Sequence, residues 1–187
     1  MLDDKIKIKK GEVLAFKTDT VWGFGALPND IEAINKIYEI KKRDAKKPLI
    51  LMSYDFEPLK KYIKNVPDYA LDLIKKYLPG GLTLIFEKTE LCSSSVTKTN
   101  TVGIRIPNSP DFINLAKKIE GGVLATTSCN VSSEPPVKNY LEAKEKFLNK
   151  ATIIPPIEDS ENKNVPSTVI LCLEKEYKIL RQGKVKL

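Results

Sequence analysis

The sequence predicts an α/β protein. Short apolar runs rich in β-branched and aromatic residues alternate along the chain with stretches whose apolar residues recur at helical spacing. Segments rich in glycine, proline, serine and threonine separate them, and no repeat or low-complexity tract interrupts the pattern. Interleaved strands and helices are typical of the α/β class, and 187 residues suit one domain. We therefore expect a single domain that spans residues 1–187.

Apolar periodicity, caps and chain breakers place the elements of the N-terminal half. The pair Asn29–Asp30 caps a helix whose apolar residues recur with a period near 3.6 from Ile31 to Ile40, and Pro48 stops that segment. In chain order we predict strand 12–16, a polar turn at 17–20, the compact segment 21–25, helix 31–40, strand 49–52, helices near 56–64 and 68–77, and strand 82–86 after a Pro-Gly-Gly turn.

The C-terminal half continues the alternation, and its polar segments lie at strand ends. In chain order we predict a polar loop at 88–100, strand 101–106, helix 110–119 capped by Ser109, strand 123–125, a polar loop at 126–136, helix 138–148, strand 151–154, an acidic loop at 158–164, and strands 168–173 and 176–180. Because open α/β sheets bind ligands at the ends of their strands, we expect the functional site among these loops.

The composition excludes several kinds of chemistry. The chain has no histidine, which rules out a Ser-His-Asp triad, a Cys-His pair and any histidine-ligated metal site. Neither the phosphate loop Gly-x-x-x-x-Gly-Lys-Ser/Thr nor the fingerprint Gly-x-Gly-x-x-Gly occurs. Chemistry must therefore rest on carboxylates, lysines, hydroxyls, backbone donors or groups of the substrate itself.

Charge and cysteine usage indicate the surroundings of the protein. The net charge of +7 is compatible with binding a nucleic acid, a nucleotide or acidic metabolites. The three cysteines lie far apart and fit free thiols in a reducing compartment. No apolar run approaches the roughly 20 residues that span a bilayer, and the first ten residues lack a signal-peptide core. We expect a cytoplasmic protein that does not enter a membrane.

Three of the 31 cationic residues are arginines, namely Arg43, Arg105 and Arg181. A guanidinium grips a carboxylate or phosphate through two parallel hydrogen bonds, whereas an ammonium acts as a point charge. Arg105 and Arg181 follow apolar β-like runs, from which a side chain can be aimed into a cleft. A functional role for these arginines is one interpretation, and chance with surface solvation is the other. If Arg105 is buried, it needs an acidic partner, which could be a carboxylate of the protein or of a substrate.

Other polar clusters have two interpretations each. Lys41-x-Arg43, with Lys46 and Lys47 close behind, could clamp a polyphosphate or simply supply cations at a helix C-terminus. The segment 128–133 follows a buried strand and could bind a phosphate or base, or form an ordinary Ser/Asn turn. The segment 18–20 is equally ambiguous, because the single carboxylate of Asp19 is a weak signal for a metal.

Seven sequence blocks, taken together in their order and spacing, indicate a protein family. The blocks are Lys17-Thr-Asp-Thr-Val-Trp-Gly-Phe-Gly25, Lys41-x-Arg43 with Pro48-Leu49, Leu78-Pro-Gly-Gly-Leu-Thr83, Val102-Gly-Ile-Arg-Ile-Pro107, Ser128-x-Asn130, Ser167-Thr-Val169 and Ile179-Leu-Arg-Gln-Gly183. Together they resemble the YrdC family of threonylcarbamoyl-AMP synthases, in its single-domain bacterial form. The resemblance implies a twisted, open, mixed sheet with flanking helices around a basic cavity.

The resemblance also implies a reaction and its partners. L-threonine, bicarbonate (or CO2) and ATP with Mg²⁺ would give threonylcarbamoyl-AMP and pyrophosphate. The product would serve the N6-threonylcarbamoyl modification of the adenosine next to the tRNA anticodon. Threonylcarbamoyl-transfer proteins acting on tRNA would be partners, and direct contact with RNA is a further expectation.

Roles carried over from the resemblance fall on eleven residues. Lys41 and Arg43 would be catalytic, by neutralising charge on the ATP phosphates. The L-threonine site would comprise Thr20, Arg105, Thr126 and Ser167. The ATP site would comprise Lys41, Arg43, Lys47, Thr101, Ser128, Asn130 and Arg181. No protein ligand to the metal is expected, since Mg²⁺ would be held mainly by phosphate oxygens and water.

The chain also departs from the family pattern at several positions. Asp19 stands where Glu is usual, Gly81 where Pro is usual, Met52 and Asn108 where His is frequent, Thr126–Cys129 where Ala-Pro-Ser-Ala is usual, Ser133 where Gly is usual, and Pro136 where Ser or Thr often contacts ATP. These differences leave two alternatives open. One is a paralogue of the YciO type that acts as an RNA-binding module in tRNA or ribosome maturation without synthase activity. The other is a carbamoyl-adenylate enzyme of the hydrogenase-maturation type, whose accompanying domains this sequence does not contain.

Overall fold

The computed structural model describes residues 6–162 and 164–187 and has the predicted α/β architecture. The first five residues of the expected domain and Lys163 of the expected acidic loop lie outside the described residues. The helices are α1 (Ile31–Lys41), α2 (Glu57–Lys60), α3 (Asp68–Tyr77), α4 (Pro110–Lys118) and α5 (Tyr140–Phe147), with a 3₁₀ turn at Glu120–Gly122. The strands are β1 (Leu14–Phe16), β2 (Gly23–Ala26), β3 (Ile50–Ser53), β4 (Leu82–Glu87), β5 (Thr101–Arg105), β6 (Val123–Ser128), β7 (Thr152–Ile153), β8 (Thr168–Cys172) and β9 (Tyr177–Arg181).

All of these strands form one open, mixed sheet in the order β7-β1-β2-β6-β3-β5-β4-β8-β9. The pairs β1–β7, β3–β5 and β4–β8 are parallel, and the other neighbours are antiparallel. The centre of the sheet is therefore made of β6, β3 and β5. Thr101 and Arg105 lie at the two ends of β5, and Thr126 and Ser128 lie near the end of β6.

The two faces of the sheet are covered unequally. One face packs against α1, α3 and α5 in the larger apolar core, to which Ile37, Ile74 and Phe147 contribute. On the other face, α4 alone places Phe112 and Leu115 against strand side chains in a smaller core. Burying side chains of this size stabilises the fold by about 1.5–3 kcal/mol each. Next to α4, the second face presents the polar groups of the candidate site.

Local chemistry explains how α1 begins and ends. Asp30 caps its N-terminus, because one carboxylate oxygen accepts from the Ala33 N–H at 3.0 Å and the other from the Gly11 N–H at 2.8 Å. Lys42 ends the helix in the left-handed conformation with φ of +48°. This sharp turn separates Lys41, which points into the protein, from Arg43 in the following loop.

Three sequence-based boundaries were wrong. The segment 21–25 contains strand β2, which periodicity missed because its two glycines and Trp22 do not form an apolar run. The helix expected near 56–64 is a single turn, and Ile63 instead forms a β-bridge with Lys88. The loop expected from residue 126 begins only after Ser128, because β6 pairs with β2 along the polar residues Thr126–Ser128. Cross-strand hydrogen bonding thus overrides the polar composition of that segment.

Candidate functional site

The candidate site lies on the sheet face that α4 covers only in part. Strand pairing places Arg105 beside Met52, and Thr126 beside Ile50, which in turn pairs with Gly103. Side chains alternate between faces along a strand, so Thr126 and Ser128 on β6 share this face with Gly103 and Arg105 on β5. A Cβ at Gly103 would lie 2.8 Å from the Ile50 side chain, which explains why only glycine fits there.

Arg105 is the most constrained cation of the site. Its side chain is only 2% exposed. Nε donates to the Gly80 carbonyl at 2.9 Å and one terminal nitrogen donates to Thr20 Oγ1 at 2.6 Å. The other terminal nitrogen, NH2, forms an ion pair with the carboxylate of Asp19. Burial lowers the pKa of Arg105, the Asp19 charge raises it, and the neighbouring Arg181 charge lowers it again.

The carboxylate that pairs with the buried Arg105 in this structure therefore belongs to the protein itself, at Asp19. Its side chain is 9% exposed and contacts two cations, since Lys184 Nζ lies 3.4 Å from Oδ2 and 2.7 Å from the backbone carbonyl of Asp19. The Thr20 hydroxyl that accepts from Arg105 also lies 3.2 Å from Thr18 Oγ1, which donates to the Val21 carbonyl. The segment 18–20 thus supplies both a charge and fixed hydroxyl groups to the guanidinium.

Ser167 and Arg181 form a second group beside Arg105. Arg181 NH2 donates to the Ser167 carbonyl at 2.9 Å and to Ser167 Oγ at 3.2 Å. The Ser167 hydroxyl lies 2.8 Å from Thr83 Oγ1, and both residues are buried. Thr83 is on β4 next to Arg105 on β5, so this group borders the Arg105 cluster.

Lys41, Ser128 and Asn130 form a third group at the end of β6. Lys41 is 1% exposed, and its Nζ donates to the Ser128 carbonyl at 2.5 Å and to the carbonyl and Oδ1 of Asn130, both at 2.9 Å. Burial, reinforced by the nearby Arg43 charge, lowers the pKa of Lys41 to about 8. In this conformation the ammonium is fully engaged in holding the segment 128–130.

Arg43 is the cation with the most hydrogen-bonding capacity left. NH2 donates to the Pro48 carbonyl at 3.2 Å, while Nε is buried and has no partner among the described residues. Burial lowers the pKa of Arg43, which is consistent with a guanidinium poorly compensated by neighbouring groups. A bound anion would supply the missing acceptor and counter-charge.

The remaining predicted residues are not joined to these groups by direct contacts. Thr101 belongs to a ladder of hydroxyl groups, with Thr97, Thr99 and Thr101 spaced 3.0 and 3.1 Å apart. The Thr126 hydroxyl donates to the Ile50 carbonyl at 3.3 Å. Lys47 is exposed, and its carbonyl accepts from the Tyr38 hydroxyl at 2.9 Å.

Sequence reasoning missed two members of the site. Thr83 ends one of the seven sequence blocks but received no role, although a threonine among leucines at an alternating position marks a polar position on one face. Lys184 gave no local signal, because its position depends on the C-terminal segment folding back onto Gly81. The sequence marks Asp19 as a weak metal candidate and as a departure from the family pattern, but its pairing with Arg105 depends on tertiary structure.

Two surface cavities formed by the described residues lie away from these groups. One of about 740 Å³ is lined by residues near 8–10 and 27–35, and one of about 210 Å³ by residues near 12–13 and 148–152. Neither contains a residue of the predicted site. At Arg105 and Lys41 the side-chain donors are engaged by the protein's own acceptors, whereas Arg43 keeps a buried Nε without a partner among the described residues.

Two negative findings apply to the part of the chain that the structure describes. Residues 6–162 and 164–187 contain no group of three or more histidine, cysteine, aspartate or glutamate side chains that could hold a metal ion. No helix within these ranges has the length and apolar character needed to cross a membrane.

The fold and site together define an α/β protein with a buried arginine–aspartate cluster on one sheet face and further cations at the ends of α1 and β9. The chain belongs to the Sua5/YciO/YrdC family, whose family model carries the description "Telomere recombination" and matches residues 7–183. This confirms the resemblance on which the sequence analysis relied.

Named relatives give the family assignment more detail. The threonylcarbamoyl-AMP synthase of Pyrococcus abyssi is 35% identical over 182 residues, which are 96% of this chain and 53% of that protein. That of Vibrio campbellii is 31% identical over 179 residues, 94% of this chain and 95% of that protein. The crystal structure of Pyrococcus abyssi Sua5 complexed with L-threonine superposes with a TM-score of 0.81 at 32% identity, over 96% of this chain and 56% of that one. This chain thus spans about half the length of its Pyrococcus abyssi and Bacillus subtilis relatives.

Proposed function

We propose that this protein is a threonylcarbamoyl-AMP synthase, a nucleotidyltransferase that uses L-threonine, bicarbonate and ATP and releases pyrophosphate. The observation that carries the proposal is the buried guanidinium of Arg105, which lies near Arg181 and on the same sheet face as Ser128. Lys41, at the end of α1, contacts the end of β6 at Ser128, and Arg43 follows two residues later. A carboxylate-binding group next to a polyphosphate-binding group is what an amino-acid adenylating reaction requires. Relatives named threonylcarbamoyl-AMP synthase support this function, and so does the threonine bound to Pyrococcus abyssi Sua5.

Arg105 is assigned to the carboxylate of L-threonine. A guanidinium at the end of a central strand is held rigidly, here by the Gly80 carbonyl and the Thr20 hydroxyl. Rigid placement matters, because alignment of the reacting groups supplies much of the rate enhancement in such reactions. Ser167 and Thr126 are assigned to the rest of the amino acid, Ser167 because it borders the Arg105 cluster and Thr126 because it shares its sheet face.

We assign ATP to the cations Arg43, Lys47 and Arg181 together with the end of β6. Arg43 has an unfilled donor, and Arg181 presents a guanidinium anchored by Ser167. Lys41 positions Ser128 and Asn130, whose polar groups would contact the nucleotide together with Thr101. Mg²⁺ enters as part of the MgATP substrate, held by phosphate oxygens and water.

The proposed chemistry requires one proton to leave the threonine ammonium, and that proton passes to the solvent. Bicarbonate and the resulting neutral amine then form N-carboxythreonine and water. The new carboxylate attacks the α-phosphorus of ATP, the bond to the bridging oxygen breaks, and pyrophosphate leaves with that oxygen. Charge neutralisation by Arg43, Arg181 and Mg²⁺ favours this step, because negative charge accumulates on the phosphates.

The further role of the product is also a proposal. Threonylcarbamoyl-AMP is a reactive mixed anhydride, so a downstream protein must transfer its threonylcarbamoyl group to tRNA. Such transfer proteins are the expected partners, and the net charge of +7 is compatible with direct contact to RNA.

Detection of the product tests the function directly. The protein is incubated with MgATP, L-threonine and ¹³C-bicarbonate, and the nucleotide products are separated rapidly and identified by mass spectrometry. We expect an AMP adduct carrying both threonine and the ¹³C label. The absence of this adduct from folded protein, together with RNA binding that weakens steeply with salt, would instead support the RNA-binding alternative.

A further inference from the structure

The protein's own carboxylate lies where the proposed function requires a substrate carboxylate. Asp19 pairs with NH2 of Arg105, while the other guanidinium nitrogens donate to Gly80 and Thr20. The Asp19 side chain is 9% exposed, so this contact is built into the fold. We propose that Asp19 is an internal competitor for the amino-acid carboxylate, which L-threonine displaces from Arg105 when it binds. The proposal rests on the proposed function, because it needs Arg105 to receive the substrate.

The geometry of a guanidinium makes this competition direct. A carboxylate can be gripped by two parallel N–H bonds along either of two edges, Nε with one terminal nitrogen or the two terminal nitrogens together. If NH2 is the terminal nitrogen that shares an edge with Nε, then NH2 belongs to both of these edges. In either arrangement a second carboxylate would lie within a few Å of Asp19. Two like charges this close in a buried site are unfavourable, so one carboxylate must withdraw.

Lys184 provides a counter-charge for the displaced Asp19. Its Nζ already lies 3.4 Å from the carboxylate oxygen that does not pair with Arg105, and it donates to the Asp19 carbonyl at 2.7 Å. The Lys184 backbone N–H donates to the Pro166 carbonyl at 2.9 Å, and its side-chain stem packs against Gly81. A Cβ at Gly81 would come within 2.9 Å of that stem, so glycine leaves room for the lysine.

The arrangement therefore exchanges one ion pair for another. In the free protein Asp19 is shared between Arg105 and Lys184. After L-threonine binds, Arg105 pairs with the substrate and Asp19 pairs with Lys184 alone. No buried charge is left unpaired at any stage, which avoids the large cost of an isolated ion. The affinity for L-threonine is lowered by the work of displacing Asp19, and Lys184 reduces that work.

The test compares L-threonine binding to the full chain and to Asp19→Asn, which keeps the shape of the side chain and removes its charge. Isothermal titration calorimetry gives the dissociation constant, and steady-state pyrophosphate release gives KM and kcat. We expect Asp19→Asn to bind L-threonine about tenfold more tightly, because the competing negative charge beside Arg105 is removed. The KM for ATP should stay unchanged. Tighter binding cannot arise if Asp19 merely orients Arg105, because its loss would then weaken binding.

Substitution of Lys184 provides a second, independent test. Lys184→Gln should raise the dissociation constant for L-threonine in the natural chain and have no effect in the Asp19→Asn background. Lys186→Gln, at an exposed position two residues further on, is the matched control and should change neither. Equal effects of Lys184→Gln in both backgrounds would overturn the shared role of the two residues.

The outcomes separate this inference from the function on which it rests. If the unaltered chain binds L-threonine but Asp19→Asn binds it no more tightly, the competition is refuted while the synthase function stands. If the unaltered chain neither binds L-threonine nor releases pyrophosphate, both are refuted.

Discussion

At the scale of single residues, the site depends on which acceptors each cation has. Arg105 has a partner for each of its three nitrogens, Lys41 has three close acceptors, and Arg43 has one long contact and a buried Nε without a partner in the described chain. The first two cations are held by acceptors of the protein, whereas the third keeps a buried donor without an acceptor among the described residues. These three cations therefore differ in their surroundings, and we propose that only Arg43 receives an anion in this state.

Arg105→Lys should change the KM for L-threonine much more than the KM for ATP. Lysine keeps the positive charge but cannot reach Gly80, Thr20 and a carboxylate in the same fork, so the KM for L-threonine should rise by about 10- to 100-fold. The KM for ATP should change by no more than a small factor. Steady-state pyrophosphate release at varied L-threonine and varied ATP measures both values. An equal rise in both would contradict the assignment of Arg105 to the amino acid.

Lys41→Met should change how stability depends on pH. The folded protein holds the pKa of Lys41 at about 8, below the 10.5 of an ordinary lysine, mainly because the group is buried. Between these values the unfolded chain binds more protons than the folded one, so this group makes the free energy of unfolding rise with pH. Methionine cannot titrate, and the variant should lose that increase.

Urea denaturation at pH values from 7 to 10 measures this effect. The stability advantage of the natural chain over Lys41→Met should grow as the pH rises through 8. Lys75→Met, at an exposed position of α3, controls for the loss of a lysine without burial. A difference between the natural chain and Lys41→Met that stays constant with pH would show that Lys41 is not perturbed in this way.

At the scale of elements, the central strands need small residues where they approach one another. Gly103→Ala places a methyl group 2.8 Å from Ile50 Cγ2 and 3.4 Å from Thr83 Cγ2. Overpacking of this kind costs about 1–3 kcal/mol. Chemical denaturation should show that loss, and it should be smaller when Gly103→Ala is made in an Ile50→Ala background, where the closest atom is gone. Additive losses from the two substitutions would mean that the Ile50 contact is not the cause.

Much of the element order could be predicted from the sequence, but contacts between elements could not. Helix α1 carries both signals that sequence reasoning can read, a cap at Asp30 and a regular apolar period. Strand β2 carries neither, and it becomes a strand because β1 and β6 pair with it on both sides. The ladder of β6 likewise continues through polar residues that composition assigns to a loop.

In the candidate site too, single residues could be predicted from the sequence, whereas their contacts could not. Arginines that end apolar strands are visible in the sequence, and the resemblance implies roles for eleven residues. Asp19 and Lys184 lie 165 positions apart and meet only in the folded chain. Their contact depends on the C-terminal segment packing against Gly81, which no local pattern indicates.

At the scale of the whole molecule, one connection crosses the sheet. The segment between β7 and β8 starts at one edge of the sheet and ends next to the opposite edge strand. On the way, Asn162 donates to the Thr18 carbonyl at 3.1 Å, and Lys17 donates to the Glu158 carbonyl at 2.8 Å. The segment therefore fastens the loop that carries Asp19 and Thr20 before it reaches Ser167. This crossing thus adds a link between two parts of the proposed threonine site that Arg105 also joins directly.

The central claim is that the Arg105 cluster and the groups at the ends of α1 and β6 bring an amino-acid carboxylate and ATP together for reaction. Pyrophosphate release from MgATP tests it most directly, measured with both L-threonine and bicarbonate, with each alone and with neither. The account predicts release only when both are present. The Arg105→Lys variant should reach the natural rate only at a raised L-threonine concentration. Release that does not depend on L-threonine, or none from folded protein under any of the four conditions, would contradict the account.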